Sequence, residues 1–337
     1  MIREAIEAVI DGNSLSLEEA ASAMNEIMSG DATPAQFGAF VTALRIKGET
    51  VDEIAGMARV MREKSLHVDV DGLVVDTCGT GGDGSGSFNI STTAALVVAG
   101  AGVKVAKHGN RAMSGATGSA DVLEELGVKI DLSPEGVARC LDEAGFGFMF
   151  AQRYHPSMRF AAGPRREIGI RTVFNILGPL TNPANARRQV IGVADPMVAE
   201  RMARVLGALG SEHALVVHGA DGLDELTLSG PSQVWELLGD EVSTYEVTPE
   251  TMGLGRADGS ALQAATAEQS AEIARAVLGG QPGPTRDVVL MNAAAALLAA
   301  GTAQTLTDGV QIAAQSIDNG DAARGLEKLA SLSQSLE

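Results

Sequence analysis

The stretch LVVDTCGTGGDGSGSFNISTTAALVVAGAGVKVAK, residues 73–107, carries the reading of the fold. A β-branched run from Leu73 to Asp76 enters a glycine-rich turn, an apolar helical segment follows from Ala94 to Ala99, and a second β-branched run from Val103 to Lys107 closes the unit. Strand, helix and strand in so short a span join parallel strands through a crossover. The same texture continues in GVKID (127–131), FGFMF (146–150), QVIGV (189–193) and HALVVHG (213–219), with glycine turns or helical stretches between them. The alternation predicts a mainly parallel central sheet with helices on both faces, an α/β fold. After Gly222 the runs ELTL (225–228), QVWEL (233–237) and TYEV (244–247) read as further strands. Alanine-rich helices, including Val288 to Ala300, and a polar amphipathic C-terminus complete the chain.

Upstream of Leu73 the pattern is helical. Ser16 with Glu19 and Thr50 with Glu53 form capping-box pairs, and Thr33 before Pro34 supplies an N-cap and a favoured first helical residue. The first 65 residues are thus a run of short helices. Gly163 to Leu180 is helical again, opening with Pro164 and closing at Gly178-Pro179, and its interruption of the strand alternation predicts that it packs back on the N-terminal helices. The expected organisation is a small all-helical domain, residues 1–66 with about 164–187, and a larger α/β domain, residues 67–163 with 188–337.

With 337 residues, 45% of them hydrophobic, the chain can bury a large core, and its 40 glycines and 11 aromatic residues make small side chains dominate the interior. A net charge of −18 repels phosphate backbones and anionic lipid, which argues against nucleic-acid or membrane partners. An anionic ligand therefore needs local cations or a metal. Cys78 and Cys140 form no disulfide framework and read as reduced thiols of a cytoplasmic protein. The N-terminus shows no secretory signal, and the longest apolar run, Ala94 to Val103, is too short for a bilayer span of ~20 residues.

The chemistry concentrates in two loops after predicted strands. Five glycines between 79 and 86 let the backbone approach a ligand and aim several N–H groups at one oxyanion, while Ser91, Thr92 and Thr93 lead into a helix whose N-terminal end favours negative charge. This is a phosphate cradle without the Walker Gly-Lys-Ser/Thr and without the dinucleotide fingerprint, so ATP hydrolysis and hydride transfer fall behind. The second loop is Lys107-His108-Gly109-Asn110-Arg111-Ala112-Met113-Ser114-Gly115, in which Lys107 and Arg111 are candidate cations for a phosphorylated ligand and Asn110 a donor and acceptor. In open α/β sheets ligands bind beyond the carboxyl ends of the strands, so both loops are expected to face one crevice.

The segments GTGGD (79–83), NIST (89–92), KHGNR (107–111), GSADVLEELG (118–127), RREIGIRTVFNILGPLTNP (165–183) and Asp224-Glu225 in GLDELTL resemble the anthranilate phosphoribosyltransferase family, in order and over essentially the whole chain. The resemblance implies the nucleoside phosphorylase and phosphoribosyltransferase fold, a cytoplasmic homodimer joined through the helical domains, and transfer of phosphoribose from 5-phosphoribosyl 1-pyrophosphate to anthranilate in tryptophan biosynthesis. At matching positions it implies that Gly79, Gly82, Asp83, Ser87, Asn89, Ile90, Ser91, Thr92, Lys107 and Ser119 bind the sugar donor, and that Gly79, His108, Asn110 and Arg165 bind anthranilate. Ser91, Asp224 and Glu225 would ligate Mg2+, with two ions per subunit. The helical domain would hold the acceptor side and the α/β domain the donor and magnesium.

Those roles suit the chemistry. Breaking the ribose C1–O bond places growing negative charge on pyrophosphate, which a divalent cation and backbone amides can hold. Adjacent carboxylates at a loop-to-strand junction, as expected for Asp224 and Glu225, can reach one hard cation. Arg165, where a helix opens after Pro164, offers a planar fork for a carboxylate. An aromatic amine is already neutral, so no catalytic base is assigned; His108 reads as a hydrogen-bonding shape element and Cys78 as packing. Two positions depart from the family pattern: Ser87 stands where threonine is common, and Gly115-Ala116-Thr117 replace the usual serine and basic residue, removing one phosphate-facing cation. The alternatives are a pyrimidine nucleoside phosphorylase, whose C-terminal domain and longer glycine-rich signature are not found here, and a non-catalytic nucleic-acid-binding relative, which the charge opposes.

Overall fold

A computed structural model describes residues 1–112 and 118–336. Its first four helices are α1 (Ile2–Ile10), α2 (Leu17–Ser29), α3 (Pro34–Lys47) and α4 (Val51–Glu63). At Ser16 and Thr50 both halves of the capping box close, each glutamate accepting the cap's own N–H at 2.8 Å. Thr33 forms the same box with Gln36. The Glu53 carboxylate also accepts the Leu15 N–H at 2.9 Å and pairs with Lys47 Nζ at 2.9 Å, so one buried side chain ties α4 to the α1–α2 loop and to the end of α3. Gly56 leaves room for the Leu17 carbonyl, which lets α4 lie directly on the start of α2.

The alternation then unfolds as β1 (Val75–Gly79), α5 (Ile90–Gly100), β2 (Val105–Gly109), α6 (Ser119–Glu125), α7 (Pro134–Ala144) and β3 (Phe146–Phe150). Next come α8 (Ala151–Tyr154), α9 (Arg159–Ile168), α10 (Phe174–Leu177), β4 (Arg188–Gly192), α11 (Ala199–Ala208) and β5 (His213–Gly219). The chain ends with β6 (Ser232–Leu238), β7 (Glu241–Val247), α12 (Ala267–Leu278), α13 (Pro284–Ala300), α14 (Leu306–Asp318) and α15 (Asp321–Gln334). The sheet runs in the order β3-β2-β1-β4-β5-β6-β7. β1 to β5 are parallel and the last two strands are antiparallel, so the sheet is mainly parallel as the alternation predicts.

Period-two burial along the strands gives the sheet two apolar faces. Val190, Leu215 and Val217 join one core with α5 and α13, whereas Ile191, Val193, Ala214 and Val216 join another with α11 and the N-terminal helices. Residues of α9 and α10 enter that second core as well, with the Phe174 ring 5.2 Å from that of Phe37. Cys78 and Cys140 are free thiols, and among the described residues no helix is long and apolar enough to cross a membrane.

Three sequence expectations differ from the structure. GVKID forms no strand, because Lys129 N–H donates to Ser333 Oγ and Lys129 Nζ to the Leu336 carbonyl, so the C-terminal helix takes up its polar groups. ELTL forms none either: Asn292 bonds both the N–H and the carbonyl of Leu226, and Thr227 N–H donates to Ser232 Oγ. The helix placed at Gly163 to Leu180 begins at Arg159, after a 3₁₀ turn opened by Pro156, and Pro164 lies inside it. Gly169 ends that helix in the left-handed conformation, and α10 follows as a separate piece.

Gly56→Ala forces the new Cβ against the Leu17 carbonyl, and overpacking of this kind costs about 1–3 kcal/mol. Denaturant titration should show the loss, and an unchanged midpoint would refute the close crossing of α2 and α4.

Candidate active site

The strand order reverses at β1, which pairs with β2 on one side and β4 on the other, so the crevice opens beyond the carboxyl ends of β1 and β4. Gly79 and Gly192 end these strands as partners. A Cβ at Gly192 would collide with the Asp224 carbonyl, and one at Gly79 would meet Asp224 Oδ2 at 2.5 Å. The missing side chains let residue 224 reach the strand ends. Gly81 N–H then donates to Asp224 Oδ2 at 2.7 Å, tying the β1–α5 loop to the same carboxylate. Gly81, Gly82, Gly84 and Gly86 all have φ between 67° and 78°, the left-handed turns that wind this loop.

Asn89 caps α5, its Oδ1 accepting the Thr92 N–H at 3.0 Å, so the helix starts at Ile90 rather than at Ala94. Ile90 is buried packing, Ser91 and Thr92 lie in the first turn, and the buried Thr92 Oγ1 has no partner among the described residues. Beneath this turn sits the Lys107 ammonium, 1% exposed, which donates to the Thr77 carbonyl at 2.5 Å and to Ser91 Oγ at 3.3 Å. Burial lowers the pKa of Lys107, with the Asp76 charge opposing. Asp76 is itself enclosed, accepting the His108 N–H at 3.2 Å and Asn182 Nδ2 at 2.7 Å. The Ser87 segment runs along residue 263 as an isolated antiparallel bridge.

Three carboxylates face this end of the sheet. Burial, with Asp83 adding repulsion, pushes Asp224 up to about 7. Burial and then Asp224 push Glu225 up to about 8, against the pull of Lys107 and a hydrogen bond from Ser91. Asp83 Oδ1 accepts the Ser85 N–H, while its buried Oδ2 has no partner among the described residues. Carboxylates crowded and desolvated in this way are short of positive charge. Among the described residues no three His, Cys, Asp or Glu side chains gather into a metal cage. Mg2+ at phosphate sites takes one or two carboxylates plus substrate oxygens and water, and that form fits this set. Asp224 and Glu225 lie in an irregular segment after β5, not at the start of a strand.

The second loop divides. His108 is buried with its ring 5.0 Å from that of His155, and burial lowers the pKa of both, opposed by the backbone of Gly178 at His108 and of Thr181 and Met61 at His155. Nε2 of each has no partner among the described residues. Asn110 Oδ1 accepts the Arg111 N–H at 2.8 Å, and the Asn110 carbonyl accepts Ser119 Oγ–H at 3.3 Å. Arg111 is bound to Asp121 at 2.8 Å and Glu124 at 2.5 Å, so α6 already pairs the charge expected to serve a phosphate. The departure at Gly115-Ala116-Thr117 lies outside the described residues.

Arg165 stands in the last turn of α9 rather than where a helix opens. It is half-buried, and its pKa is lowered by burial and by Arg171. No hydrogen bond or ring contact among the described residues joins it to His108 or Asn110. The sequence reading missed Asp76, His155, Arg171 and Asn182. Asn182 and Arg171 fall within the RREIGIRTVFNILGPLTNP segment, and Asp76 immediately precedes the glycine loop, so proximity to those motifs was the available signal.

A helical bundle set against a mainly parallel sheet, with a glycine-wound loop facing buried carboxylates, is the architecture of a glycosyl transferase family. A family profile described as "Glycosyl transferase family, a/b domain" matches residues 71–323, and "Glycosyl transferase family, helical bundle domain" matches residues 3–65. The anthranilate phosphoribosyltransferase of Chloroflexus aggregans is 60% identical over 335 residues, covering 99% of this chain and 98% of its own. That of Symbiobacterium thermophilum is 59% identical over 322 residues, covering 95% and 94%. The chain belongs to the anthranilate phosphoribosyltransferase family. Solved relatives superpose throughout: the Thermus thermophilus enzyme, 44% identical, at a TM-score of 0.93 over 98% of this chain and 99% of that one, and the Saccharomyces cerevisiae enzyme in complex with PRPP and Mg, 29% identical, at 0.90 over 99% and 98%.

The neutral histidine pair makes the fold acid-sensitive. Unfolded histidines titrate near ~6.5, whereas burial lowers His155 to about 4. Its contribution is intact above the unfolded value and is lost as pH falls toward the folded one, because the unfolded chain then binds the extra proton. Thermal melts should therefore fall from pH 7 to pH 5, and His155→Asn should flatten that slope. An unaltered slope in the variant would remove His155 from the account.

Proposed function

We propose that this chain transfers the phosphoribosyl group of 5-phosphoribosyl 1-pyrophosphate to the amine of anthranilate, giving N-(5-phosphoribosyl)anthranilate and pyrophosphate, a step of tryptophan biosynthesis. The observation that carries this reading is the meeting of the Gly79 to Gly86 loop with Asp224, whose carboxylate accepts the Gly81 N–H. Amides, the first turn of α5 and a buried ammonium then surround the space where a pyrophosphate leaves.

In this reading Gly79, Gly82, Asp83, Ser87, Asn89, Ile90, Ser91, Thr92, Lys107 and Ser119 bind the sugar donor. Gly79, His108, Asn110 and Arg165 bind anthranilate, Arg165 by its fork on the carboxylate. Ser91, Asp224 and Glu225 hold Mg2+, two ions per subunit, which supply positive charge to the leaving pyrophosphate. The anthranilate amine is the nucleophile in its neutral form. The protein's work is to orient it toward ribose C1 and to exclude water, and no side chain is assigned as base. Lys107, anchored on Thr77 and Ser91, holds its charge below the donor instead of on a mobile surface arm. The reading includes a cytoplasmic homodimer joined through the helical bundle, on which Ile10 and Ile46 are exposed. The bundle, residues 1–66 with about 164–187, would move as the acceptor-side domain against 67–163 with 188–337. Pyrimidine nucleoside phosphorolysis and nucleic-acid binding are not favoured, given relatives 59–60% identical along nearly the whole chain.

Purified protein given anthranilate, 5-phosphoribosyl 1-pyrophosphate and Mg2+ should consume anthranilate fluorescence, should stop on chelation by EDTA and should resume when Mg2+ is restored. No turnover under these conditions, or phosphorolysis of thymidine instead, would overturn the reading. Arg165→Ala should raise the anthranilate KM roughly 10- to 100-fold, the loss of one charge-assisted contact, with the donor KM nearly unchanged. Steady-state kinetics in both substrates checks this, and equal losses for the two would contradict the assignment.

A further inference from the structure

In a chain of net charge −18 the arginines are mostly occupied by carboxylates. Arg59 pairs with Glu18, Arg153 with Asp131, Arg204 with Glu200 and Arg286 with Asp318. Arg171 is an exception: among the described residues it makes no hydrogen bond and no ion pair. It is exposed, and it projects from the short break between α9 and α10, just after the left-handed Gly169. From there its guanidinium crosses to the glycine loop and lies on Gly82, where a Cβ would strike Nη1. Its charge is felt on both sides, stabilising the carboxylate of Asp224 and opposing the protonated Arg165.

The same guanidinium lines a cavity of about 220 Å³, together with Thr80 and Gly82 of the loop, Arg45 and Asn175 of the helical part, and Asp195 beyond β4. A cation with unclaimed donors, laid on the backbone of an anion loop, is a poor arrangement for stability alone. Arg171 and Arg165 repel one another, and an exposed guanidinium gains nothing from a bare glycine. The arrangement becomes favourable once an anion with several oxygens enters between the loop amides and the guanidinium.

We propose that Arg171 binds the pyrophosphate of the sugar donor and holds it after the C1–O bond breaks, gripping it from the helical side while the Gly82 loop grips it from the sheet side. The assignment rests on the phosphoribosyl-transfer reading and adds a residue to it. Arg165, earlier in the chain in the last turn of α9, is left for the acceptor carboxylate. Because Arg171 and Gly82 belong to different parts of the chain, a pyrophosphate bound by both would also draw the α9–α10 break toward the loop.

The test is titration of inorganic pyrophosphate in the presence of Mg2+ by calorimetry, beside steady-state kinetics in both substrates. Arg171→Ala should weaken pyrophosphate binding and raise the donor KM by roughly 10- to 100-fold, the range for losing a charge-assisted contact, while the anthranilate KM stays within about threefold. Arg171→Lys, which keeps the charge without the fork, should recover part of the loss. Pyrophosphate affinity equal to wild type in Arg171→Ala would overturn the proposal, as would a rise confined to the anthranilate KM. If the alanine variant does not fold, Arg171→Gln reads the same two quantities with a long polar side chain retained. A wild-type protein that forms no N-(5-phosphoribosyl)anthranilate sinks the transfer reading itself, whereas active wild type with an indifferent Arg171 variant sinks only this inference.

Discussion

Two residues without side chains, Gly79 and Gly192, end β1 and β4 as register partners, and the chain at Asp224 fills the space they leave. This approach is the constraint from which the rest of the crevice follows. It brings a carboxylate from a segment 143 positions away onto the N–H of Gly81, and so fixes where the glycine loop can go. It also strips water from Asp224 and Glu225, which raises the cost of their charges and leaves them short of a cation. A side chain at either glycine would push the acidic segment outward, and the carboxylates would be solvated and ordinary.

Behind that surface lies a second buried set that keeps the second loop in place. Asp76 takes the His108 N–H on one oxygen and Asn182 Nδ2 on the other, and Asn182 also donates to the Ala106 carbonyl. One amide side chain from the segment that returns from α10 to β4 therefore stitches β1 to β2. A buried carboxylate without a counter-charge is strongly unfavourable, and Lys107 supplies that charge while its ammonium bonds Thr77 and Ser91. The ammonium is consequently shared between Asp76 below and the crevice above. His108 leaves the same strand end and meets His155 in a pocket that keeps both rings neutral.

Much of this was readable in the residues alone. The parallel sheet came from β-branched runs spaced by glycine turns, and the capping boxes at Ser16 and Thr50 closed as written because both partners are local. The runs GVKID and ELTL have the composition of strands and were misread for a non-local reason: their polar groups are met by Ser333 and Leu336 in one case and Asn292 and Ser232 in the other. Periodicity cannot report on a partner 66 or 204 positions away. The glycine loop and the Asp224-Glu225 pair were visible as motifs, but their contact was not, since nothing in either motif states that Gly192 lacks a Cβ for the benefit of residue 224. Arg111 was misjudged for the opposite reason. Its place in the loop suggested a free cation, and the acidic face of α6 had already claimed it through Asp121 and Glu124, 10 and 13 positions on.

Net charge and local field point in opposite directions in this protein. A surplus of acidic residues repels anions at long range, yet screening confines that repulsion to about 10 Å at ordinary salt. Inside the crevice the balance is set by a few groups at short distance and low dielectric: loop amides, the open turn of α5, and an ammonium that is 1% exposed. In the proposed reading the carboxylates at the same place would not cancel that field, because a divalent cation held by them would neutralise and invert their charge. Selectivity follows from this division. On the proposed reading, a singly charged anion would meet the acidic exterior and find too little in the crevice to offset it, whereas a polyphosphate arriving with its metal would satisfy amides, ammonium and carboxylates at once.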